Sequence, residues 1–235
     1  MANPTQDKPV IKAIAFDAYG TLFDVLSVGA LAEQLFPGKG AELANLWRVK
    51  QIDYTRLRTL SDRYRDFYEV TRDALRMAAR SLALELDAGT EQRLMNQYAC
   101  LAAFPENLGA LKELKALGVP MAILSNGTPA MLEIAVKSAG MGAIFDHLLS
   151  VDSVRQYKTA AAAYQLGPDA FGLPAAEILF VSSNCWDACG ATWFGYTSFW
   201  INRANQPLEE LGVTPNATGR LLTEVLNFVR TQAPA

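Results

Sequence analysis

The spacing of apolar residues along the chain changes twice, from a strand-like pattern to a helical one and then to an alternation of the two. Residues 11–16 form a short, mostly apolar run that ends abruptly at the loop residues 17–21. This profile is typical of a buried parallel strand that runs into a tight loop. Four later segments have a similar character and are predicted as strands: residues 119–124, 145–151, 178–181 and 197–201.

Residues 28–101 follow a different pattern, because apolar side chains recur at helical intervals and no convincing strand is present. Pro37, followed by Gly38 and Gly40, marks a break between two helices. Beyond residue 105 helices alternate with strands again. The predicted helices there are residues 108–117, a helix that Thr128 and Pro129 open and that ends near Gly140, and residues 187–194.

Strands that alternate with helices predict an α/β fold with a Rossmann-like, doubly wound parallel sheet. Residues 1–24 and 103–235 are expected to form this core. Residues 25–102 are then expected to be an all-helical cap domain, inserted after the first strand.

Composition narrows the function classes. The chain has 235 residues, 51% of them hydrophobic and 19% charged, which is an ordinary globular balance. Its net charge of −3 and the lack of a basic stripe argue against nucleic-acid binding. No apolar run is long enough to span a bilayer. Residues 1–10 are polar and lack the apolar centre of a signal peptide, so they are predicted to form a loose tail. We therefore expect no membrane partner.

Two residue types restrict the chemistry further. The three cysteines, Cys100, Cys185 and Cys189, suit a reducing compartment, so a cytoplasmic location is expected. His147 is the only histidine, which excludes multi-histidine metal centres. A serine or cysteine hydrolase with a histidine base would need His147 itself. That residue lies at what looks like the start of a buried strand.

Polar side chains follow three of the predicted strands at the points where those strands end. They are Asp17 with Thr21, Ser125 with Asn126, and Ser182 with Asn184 and Asp187; Lys158 lies between the second and third groups. Each group alone is explained by turn chemistry, because Ser, Asn and Asp are good turn residues. Ligands of open α/β sheets bind beyond the carboxyl ends of the strands, so the three groups together predict a binding site.

The same residues carry a family resemblance. Asp17-Ala18-Tyr19-Gly20-Thr21-Leu22, Ser125-Asn126-Gly127, Lys158 and Ser182-Ser183-Asn184-Cys185-Trp186-Asp187 resemble the successive motifs of the haloacid dehalogenase superfamily. Within it, the chain is similar to the (S)-2-haloacid dehalogenases over roughly residues 11–203, cap included. The resemblance implies hydrolysis of short (S)-2-haloacids, namely haloacetates and 2-halopropionates, to 2-hydroxy acids. An ester on Asp17 would be the intermediate, with inversion at C2.

Two other classes compete with that function. Most members of the superfamily are magnesium-dependent phosphatases, which carry a second aspartate two residues after the nucleophile and another acid before the last helix. Tyr19 and the pair Ser183-Asn184 stand at those positions here, so too little negative charge remains for a magnesium site. We therefore expect no metal and no cofactor. A binding module that keeps only the fold would be expected to lack Asp17 or Lys158, and both are present.

The resemblance also implies roles for individual residues. Lys158 would keep Asp17 ionised, and Ser182, Asn184 and Asp187 would position and activate the hydrolytic water, with Asp187 as the base. The substrate carboxylate would be bound by Ser125 and by the backbone N–H groups of Ala18 and Tyr19, with Thr21 in support. The halide site and apolar walls would comprise Arg48, Asn126, Ile52, Phe67 and Trp186, and Tyr164 would support Lys158.

Some of these assignments have ordinary alternatives. Arg48 could instead lie on a solvated helix face or in a surface salt bridge. Phe67 could be plain helical core. Relatives usually have proline after the lysine, whereas Thr159 follows Lys158 here, so the placement of Lys158 depends more on its surroundings. The resemblance further implies a homodimer, with the 2-haloacid and the halide ion as small-molecule partners.

Overall fold

The structure, a computed structural model, describes residues 10–232. The tail predicted at residues 1–10 therefore lies, but for Val10, outside the described residues. In chain order the elements are β1 (Ala13–Phe16), α1 (Gly29–Leu35), α2 (Gly40–Leu60), α3 (Phe67–Ser81), α4 (Ala88–Ala99), α5 (Asn107–Ala116), β2 (Met121–Ser125), α6 (Pro129–Ser138), β3 (His147–Ser150), α7 (Ala161–Phe171), β4 (Ile178–Ser182), α8 (Cys185–Phe194), β5 (Thr197–Ile201), β6 (Ala217–Gly219) and α9 (Leu222–Gln232).

The six strands form one parallel sheet in the order β3-β2-β1-β4-β5-β6. Strand β1 is central, and its Ile14 pairs with Met121 of β2 and Leu179 of β4. Successive side chains of a strand point to opposite faces. Ile14 accordingly packs into one apolar cluster, and Ala13 and Ala15 into a second. Cores on both faces of a parallel sheet confirm the predicted doubly wound α/β fold.

Four helices, α1 to α4, lie between β1 and the next core helix. The predicted break near Pro37 is confirmed, because α1 ends at Leu35 and α2 begins at Gly40. Asp66 caps α3 by accepting a hydrogen bond from the Glu69 N–H at 2.9 Å. Helices α2 and α3 pack against each other and bury Trp47. The long helix α2 thereby presents one of its sides to the carboxyl ends of the core strands.

Three features differ from the sequence prediction. Residues 145–151 do not form a buried strand. Strand β3 begins at His147, which is exposed, because within residues 10–232 β3 lies at the edge of the sheet and pairs with β2 alone. The prediction of His147 at the start of a buried strand is therefore wrong. Residues 197–201 are not the final strand either, since β6 and α9 follow. Strand β6 has only three residues, too few for a clear pattern.

Within residues 10–232, none of the helices is both long enough and apolar enough to cross a membrane.

Candidate active site

The sheet brings the polar groups predicted from the sequence to one edge. Strands β1, β2 and β4 are neighbours, and the register sets Phe16 beside Ile123 and Val181. The residues that follow these positions therefore meet beyond the carboxyl ends of the strands. Asp17 lies at the centre of this edge because β1 is the central strand.

The Asp17 carboxylate is held on both oxygens. Its Oδ1 accepts a hydrogen bond from Lys158 Nζ at 3.1 Å. Its Oδ2 accepts from Thr21 Oγ1 and Asn184 Nδ2, each at 2.9 Å, and from Ser182 Oγ at a long 3.5 Å. The residue is only 6% exposed. Charge-assisted donors of this kind stabilise the ionised carboxylate and fix its orientation.

Lys158 is a buried cation shared by two carboxylates. It is 1% exposed, and its Nζ contacts Asp187 Oδ2 at 2.9 Å as well as Asp17. The ammonium also lies 4.8 Å from the centre of the Phe180 ring. Burial lowers the pKa of Lys158, but the two carboxylates raise it more, so its net pKa is above the usual value. Lys158 is therefore an ammonium throughout the ordinary working range of pH.

Asp187, at the first turn of α8, is fully buried behind Lys158. Its Oδ1 accepts a hydrogen bond from the Tyr164 hydroxyl at 2.7 Å. Burial raises the pKa of Asp187, and the charge of Asp17 raises it further, whereas Lys158 and Tyr164 lower it; the net direction is upward. Asp187 is thus more basic than an ordinary aspartate.

The loop after β4 is locked to the loop after β1. Thr21 Oγ1 accepts from the Ser183 N–H at 2.8 Å, and Ser183 Oγ donates to the Gly20 carbonyl at 2.5 Å. Gly20 has φ +95°, a left-handed conformation that side chains disfavour. These contacts hold Asn184 beside Asp17.

Arg48 reaches the site from α2. One guanidinium nitrogen, Nη2, donates to the Tyr19 carbonyl at 3.0 Å and to Asn184 Oδ1 at 3.2 Å. The other, Nη1, donates to Gln51 Oε1 at 2.8 Å. Among the described residues no carboxylate forms a salt bridge with Arg48, so the surface salt bridge considered above is not present. Its positive charge faces the site uncompensated.

A small cavity lies between α2 and the strand ends. It measures about 20 Å³, which is room for about one water molecule. Its lining comprises Asp17, Tyr19, Arg48, Ile52, Thr55, Phe67, Ser125, Asn126, Asn184 and Trp186.

Trp186 separates this cavity from a larger outer one. The outer cavity, of about 650 Å³, is open to solvent and shares Asn184 and Trp186 with the inner cavity. The Arg56 guanidinium of α2 lies over the Trp186 ring, 5.1 Å from its centre. A cation–π contact therefore joins the helical segment to the core at the wall between the two cavities.

Several donors at the inner cavity have no protein acceptor. Within residues 10–232, the backbone N–H groups of Ala18 and Tyr19 make no hydrogen bond. Ser125 Oγ accepts from the Gly127 N–H at 3.1 Å, and its own hydrogen is unused in the same region. Asn126 Oδ1 accepts from the Lys158 N–H at 3.1 Å, and the Asn126 amide hydrogens have no acceptor among the described residues. An unpaired set of donors is suited to an anion.

The structure brings every residue proposed from the sequence to this place. Nine of them line the inner cavity: Asp17, Tyr19, Arg48, Ile52, Phe67, Ser125, Asn126, Asn184 and Trp186. The others adjoin it: Ala18 through its N–H, and Thr21, Lys158, Tyr164, Ser182 and Asp187 through the hydrogen bonds around Asp17.

Three residues at the site were not found from the sequence. Thr55 lines the cavity, Gln51 binds Arg48, and Arg56 covers Trp186. A signal for Gln51 exists, because residues three apart share a helix face and Gln51 follows Arg48 by three. Thr55 follows Gln51 by four, on the same face.

Comparison with known proteins gives a consistent picture. A family model described as haloacid dehalogenase-like hydrolase matches residues 11–195. The (S)-2-haloacid dehalogenase of Pseudomonas sp. (strain YL) is 49% identical over 223 residues, which cover 95% of this chain and 96% of that protein.

Solved structures are similar over the same length. The crystal structure of one L-2-haloacid dehalogenase has a TM-score of 0.92 and 61% identity, with 94% of this chain and 99% of that chain covered. The structure of L-2-haloacid dehalogenase from Xanthobacter autotrophicus with chloropropionic acid covalently bound has a TM-score of 0.90 and 36% identity. Its alignment covers 95% of this chain and 100% of that one.

Proposed function

Because the chain belongs to the haloacid dehalogenase-like hydrolases, in the family of (S)-2-haloacid dehalogenases, we propose that it hydrolyses short (S)-2-haloalkanoic acids to 2-hydroxy acids. The substrates are haloacetates and 2-halopropionates. The reaction proceeds through an ester between Asp17 and C2 of the substrate, with inversion at that carbon and without a metal ion. The observation that carries this proposal is the buried Asp17 carboxylate, held in place by the Lys158 ammonium at 3.1 Å.

In the first step Asp17 attacks carbon. One carboxylate oxygen forms a C–O bond to C2 while the carbon–halogen bond breaks and the halide leaves with the electron pair. A carboxylate is a weak nucleophile unless it is ionised, little solvated and aligned with the leaving group. Burial and the four donors around Asp17 meet the first two conditions. The cavity on its open side determines the alignment.

The substrate carboxylate binds at the free donors next to Asp17. The N–H groups of Ala18 and Tyr19 and the Ser125 hydroxyl converge there without protein acceptors. Binding the carboxylate at these three donors orients C2 toward Asp17. Thr21 supports the arrangement by fixing the loop that carries the two N–H groups.

The departing halide is stabilised by two other donors that line the cavity. Arg48 supplies a positive charge that no carboxylate neutralises, and Asn126 supplies the amide hydrogens left free by its contact with Lys158. The rings of Phe67 and Trp186 and the side chain of Ile52 form apolar walls that exclude water. In such surroundings a charge–charge interaction is stronger than in water.

In the second step water attacks the ester carbonyl of Asp17. Asp187 takes the proton of that water, and Ser182 and Asn184 hold the ester oxygens as they held the carboxylate. Burial is the largest cause of the raised pKa of Asp187, and the charge of Asp17 adds to it; ester formation removes that charge, so the pKa of Asp187 is lower at this stage. Lys158 and Tyr164 hold Asp187 in position. The bond between the carbonyl carbon and the substrate oxygen then breaks, and that oxygen takes the second proton of the water, which releases the 2-hydroxy acid and restores the Asp17 carboxylate. Asp187 returns its proton to solvent, so one proton is released for each halide.

The inner cavity must widen before a substrate can bind. At about 20 Å³ it holds roughly one water molecule, and a 2-haloacid is several times larger. Trp186 lines both this cavity and the outer one, and Arg56 lies over its ring. Displacement of Trp186 would connect the two cavities and admit the substrate, and its return would exclude water from the reacting atoms.

A magnesium-dependent phosphatase is the alternative, and the residues present do not fit the metal. A divalent cation needs free carboxylate oxygens, whereas both oxygens of Asp17 are taken by hydrogen-bond donors and Lys158 lies between Asp17 and Asp187. Tyr19 stands where the second acid would be, and Asn184 and Ser183 are neutral. Within the described residues there is no cluster of three or more metal-binding side chains.

Isotope labelling tests the mechanism. In a single turnover of (S)-2-chloropropionate in H2¹⁸O with excess enzyme, we expect ¹⁸O in the peptide that contains Asp17 and none in the new hydroxyl group. The product should be (R)-lactate. Direct attack of water on C2 would instead label the product, and that result would refute the ester.

Substrate and metal dependence test the reaction class. Halide release from chloroacetate should be unchanged by EDTA and abolished by Asp17→Asn, with later deamidation excluded by mass spectrometry. Phosphate release from a small phosphate ester that EDTA abolishes, without halide release, would establish the phosphatase instead.

We further propose that the protein is cytoplasmic and forms a homodimer. The cysteines Cys100, Cys185 and Cys189 are free in the structure, which suits a reducing compartment. Leu57 and Leu60 of α2 are 60% and 85% exposed, and an apolar face of this kind suits contact with a second copy. Sedimentation of wild type and of Leu60→Asp tests the dimer; equal, monomeric behaviour of both proteins would refute it.

A further inference from the structure

A polar network inside the helical segment has no role in the steps above. At its centre is Gln51 of α2, which is fully buried. Its Oε1 accepts from Arg48 Nη1 at 2.8 Å and from the Tyr98 hydroxyl at 3.1 Å. Its Nε2 donates to Thr71 Oγ1 at 2.7 Å. The carbonyl oxygen and one amide hydrogen of Gln51 are thus used.

The network reaches two walls of the inner cavity. Through Oε1 it holds the guanidinium of Arg48. Through Nε2 it holds Thr71, whose hydroxyl donates to the carbonyl of Phe67 at 2.6 Å. Arg48 and Phe67 both line the cavity, and they come from different helices, α2 and α3. The buried amide of Gln51 therefore fixes the position of Arg48 relative to Phe67 across the cavity.

Burial of an amide at this position is costly unless its partners are in place. The neighbourhood of Gln51 includes buried aromatic rings: Tyr98, which bonds Gln51, packs against Trp47, one helical turn before Gln51. An unsatisfied amide there would destabilise the fold, and an apolar side chain would avoid that risk. A network of this kind is stabilising only in one geometry, so it selects one orientation of Arg48.

The neutrality of Gln51 matters as much as its geometry. A glutamate in the same place would accept from Arg48 in a charge-assisted pair and cancel its charge. Glutamine orients the guanidinium and leaves the charge available to an anion. Among the described residues the other acceptors of Arg48, the Tyr19 carbonyl and Asn184 Oδ1, are neutral as well.

We propose that Gln51 is a positioning residue for halide departure, which holds Arg48 toward the leaving group without neutralising it. This inference rests on the proposed dehalogenation. Gln51 acts on the first chemical step through Arg48; Lys158 and Asp187, which serve ester hydrolysis, form no hydrogen bond with Gln51 or Arg48 among the described residues. A poor leaving group depends on Arg48 more than a good one does, so the effect of Gln51 is larger for chloride than for bromide.

The experiment compares Gln51→Glu with Gln51→Met and measures kcat, KM and inhibition by added halide. Gln51→Glu should lower kcat for chloroacetate at least tenfold, lower kcat for bromoacetate less, and raise the inhibition constant of halide at least tenfold. Gln51→Met, which loses the acceptor but adds no charge, should change the same quantities in the same direction by a smaller factor. Gln92→Glu is the matched control, since Gln92 is exposed on α4 and bonded only to Asn96; it should behave as wild type.

The outcomes separate the two proposals. If wild type releases no halide, the proposed function itself fails. If wild type is active and Gln51→Glu keeps the wild-type halide inhibition and the wild-type ratio of chloroacetate to bromoacetate rates, Gln51 is only structural and the inference is wrong. If Gln51→Glu does not fold, Gln51→Met is tested by its halide inhibition and by its ratio of chloroacetate to bromoacetate rates. Wild-type values of both would show that the inference is wrong.

Discussion

Replacement of Lys158 by methionine should be among the most damaging single changes to this site. Methionine approximates the length of the lysine stem but carries no charge. The change leaves Asp17 and Asp187 buried beside each other without the ammonium that now contacts both, at 3.1 and 2.9 Å. Removal of one partner from a buried ion pair costs about 3–5 kcal/mol, because the remaining charge is uncompensated.

That cost appears in both activity and stability. At 1.36 kcal/mol per factor of ten, a loss of this size in the transition state lowers kcat/KM roughly 10²–10⁴-fold. A loss of the same size in folding free energy lowers Tm by on the order of 10 °C for a chain of this length. The pKa of Asp187 should rise further, since burial and Asp17 still raise it and Lys158 no longer lowers it.

Halide release and thermal denaturation at pH 7 measure the two effects. Lys12→Met is the control, because Lys12 forms an ion pair with Glu177 at 2.8 Å while its side chain is 52% exposed. Exposed pairs contribute about 0–1 kcal/mol, so this variant should keep wild-type activity and a Tm within a few degrees. Activity of Lys158→Met within tenfold of wild type, at an unchanged Tm, would refute the argument from buried charge.

Three further changes probe the same site. Tyr164→Phe removes a hydrogen bond that lowers the pKa of Asp187 against burial, so the acid limb of the pH–rate profile should move to higher pH; an unmoved limb would argue against Asp187 as the base. Arg48→Lys keeps the charge but loses the forked contacts to Gln51, Tyr19 and Asn184, so kcat for chloroacetate should fall about 10–100-fold with KM little changed; wild-type kcat would show that charge alone suffices. Asp187→Asn should be inactive yet no less stable than wild type at pH 7. Burial is the chief cause that raises the folded-state pKa of Asp187. The protonated carboxyl therefore stabilises the fold below about pH 4, and this stabilisation is lost as the pH rises through the folded-state pKa of Asp187. The Tm of the variant relative to wild type should accordingly fall as the pH is lowered to 4, and the opposite trend would contradict the assigned direction of the pKa.

Four of the strands and the polar groups at the strand ends could be predicted from the sequence because they depend on local patterns, whereas the family resemblance alone indicated the roles of Arg48, Ile52, Phe67, Tyr164 and Trp186. Asp17, Ser125 and Ser182 each end or follow a buried run, and parallel strands place such ends at one edge. The edge position of β3 was missed since apolar residues 148–149 resemble a buried strand, although β3 has a neighbour on one side only. Strand order, which is not a local property, decides that exposure.

The helical residues of the site were harder to predict for a related reason. Glutamine in a helix is usually solvent-exposed; the spacing of Gln51 from Arg48 indicates a shared helix face but not that this face is buried. Its burial depends on how α2 and α3 pack, and its partners Tyr98 and Thr71 come from other helices. The contact between Arg56 and Trp186 likewise depends on how the helical segment sits on the core.

The central position of β1 has a consequence for synthesis on the ribosome. Strand β1 emerges early, but its register pairs Ile14 with Met121 and Leu179, which are translated long afterwards. Helices α1 to α4 contact one another and can assemble in the interval, whereas β1 must wait as an unpaired apolar segment. Asp17 therefore acquires its surroundings only when β4 docks. A truncated or stalled chain that ends before β4 would expose β1 as an aggregation-prone edge and would have no nucleophile in place.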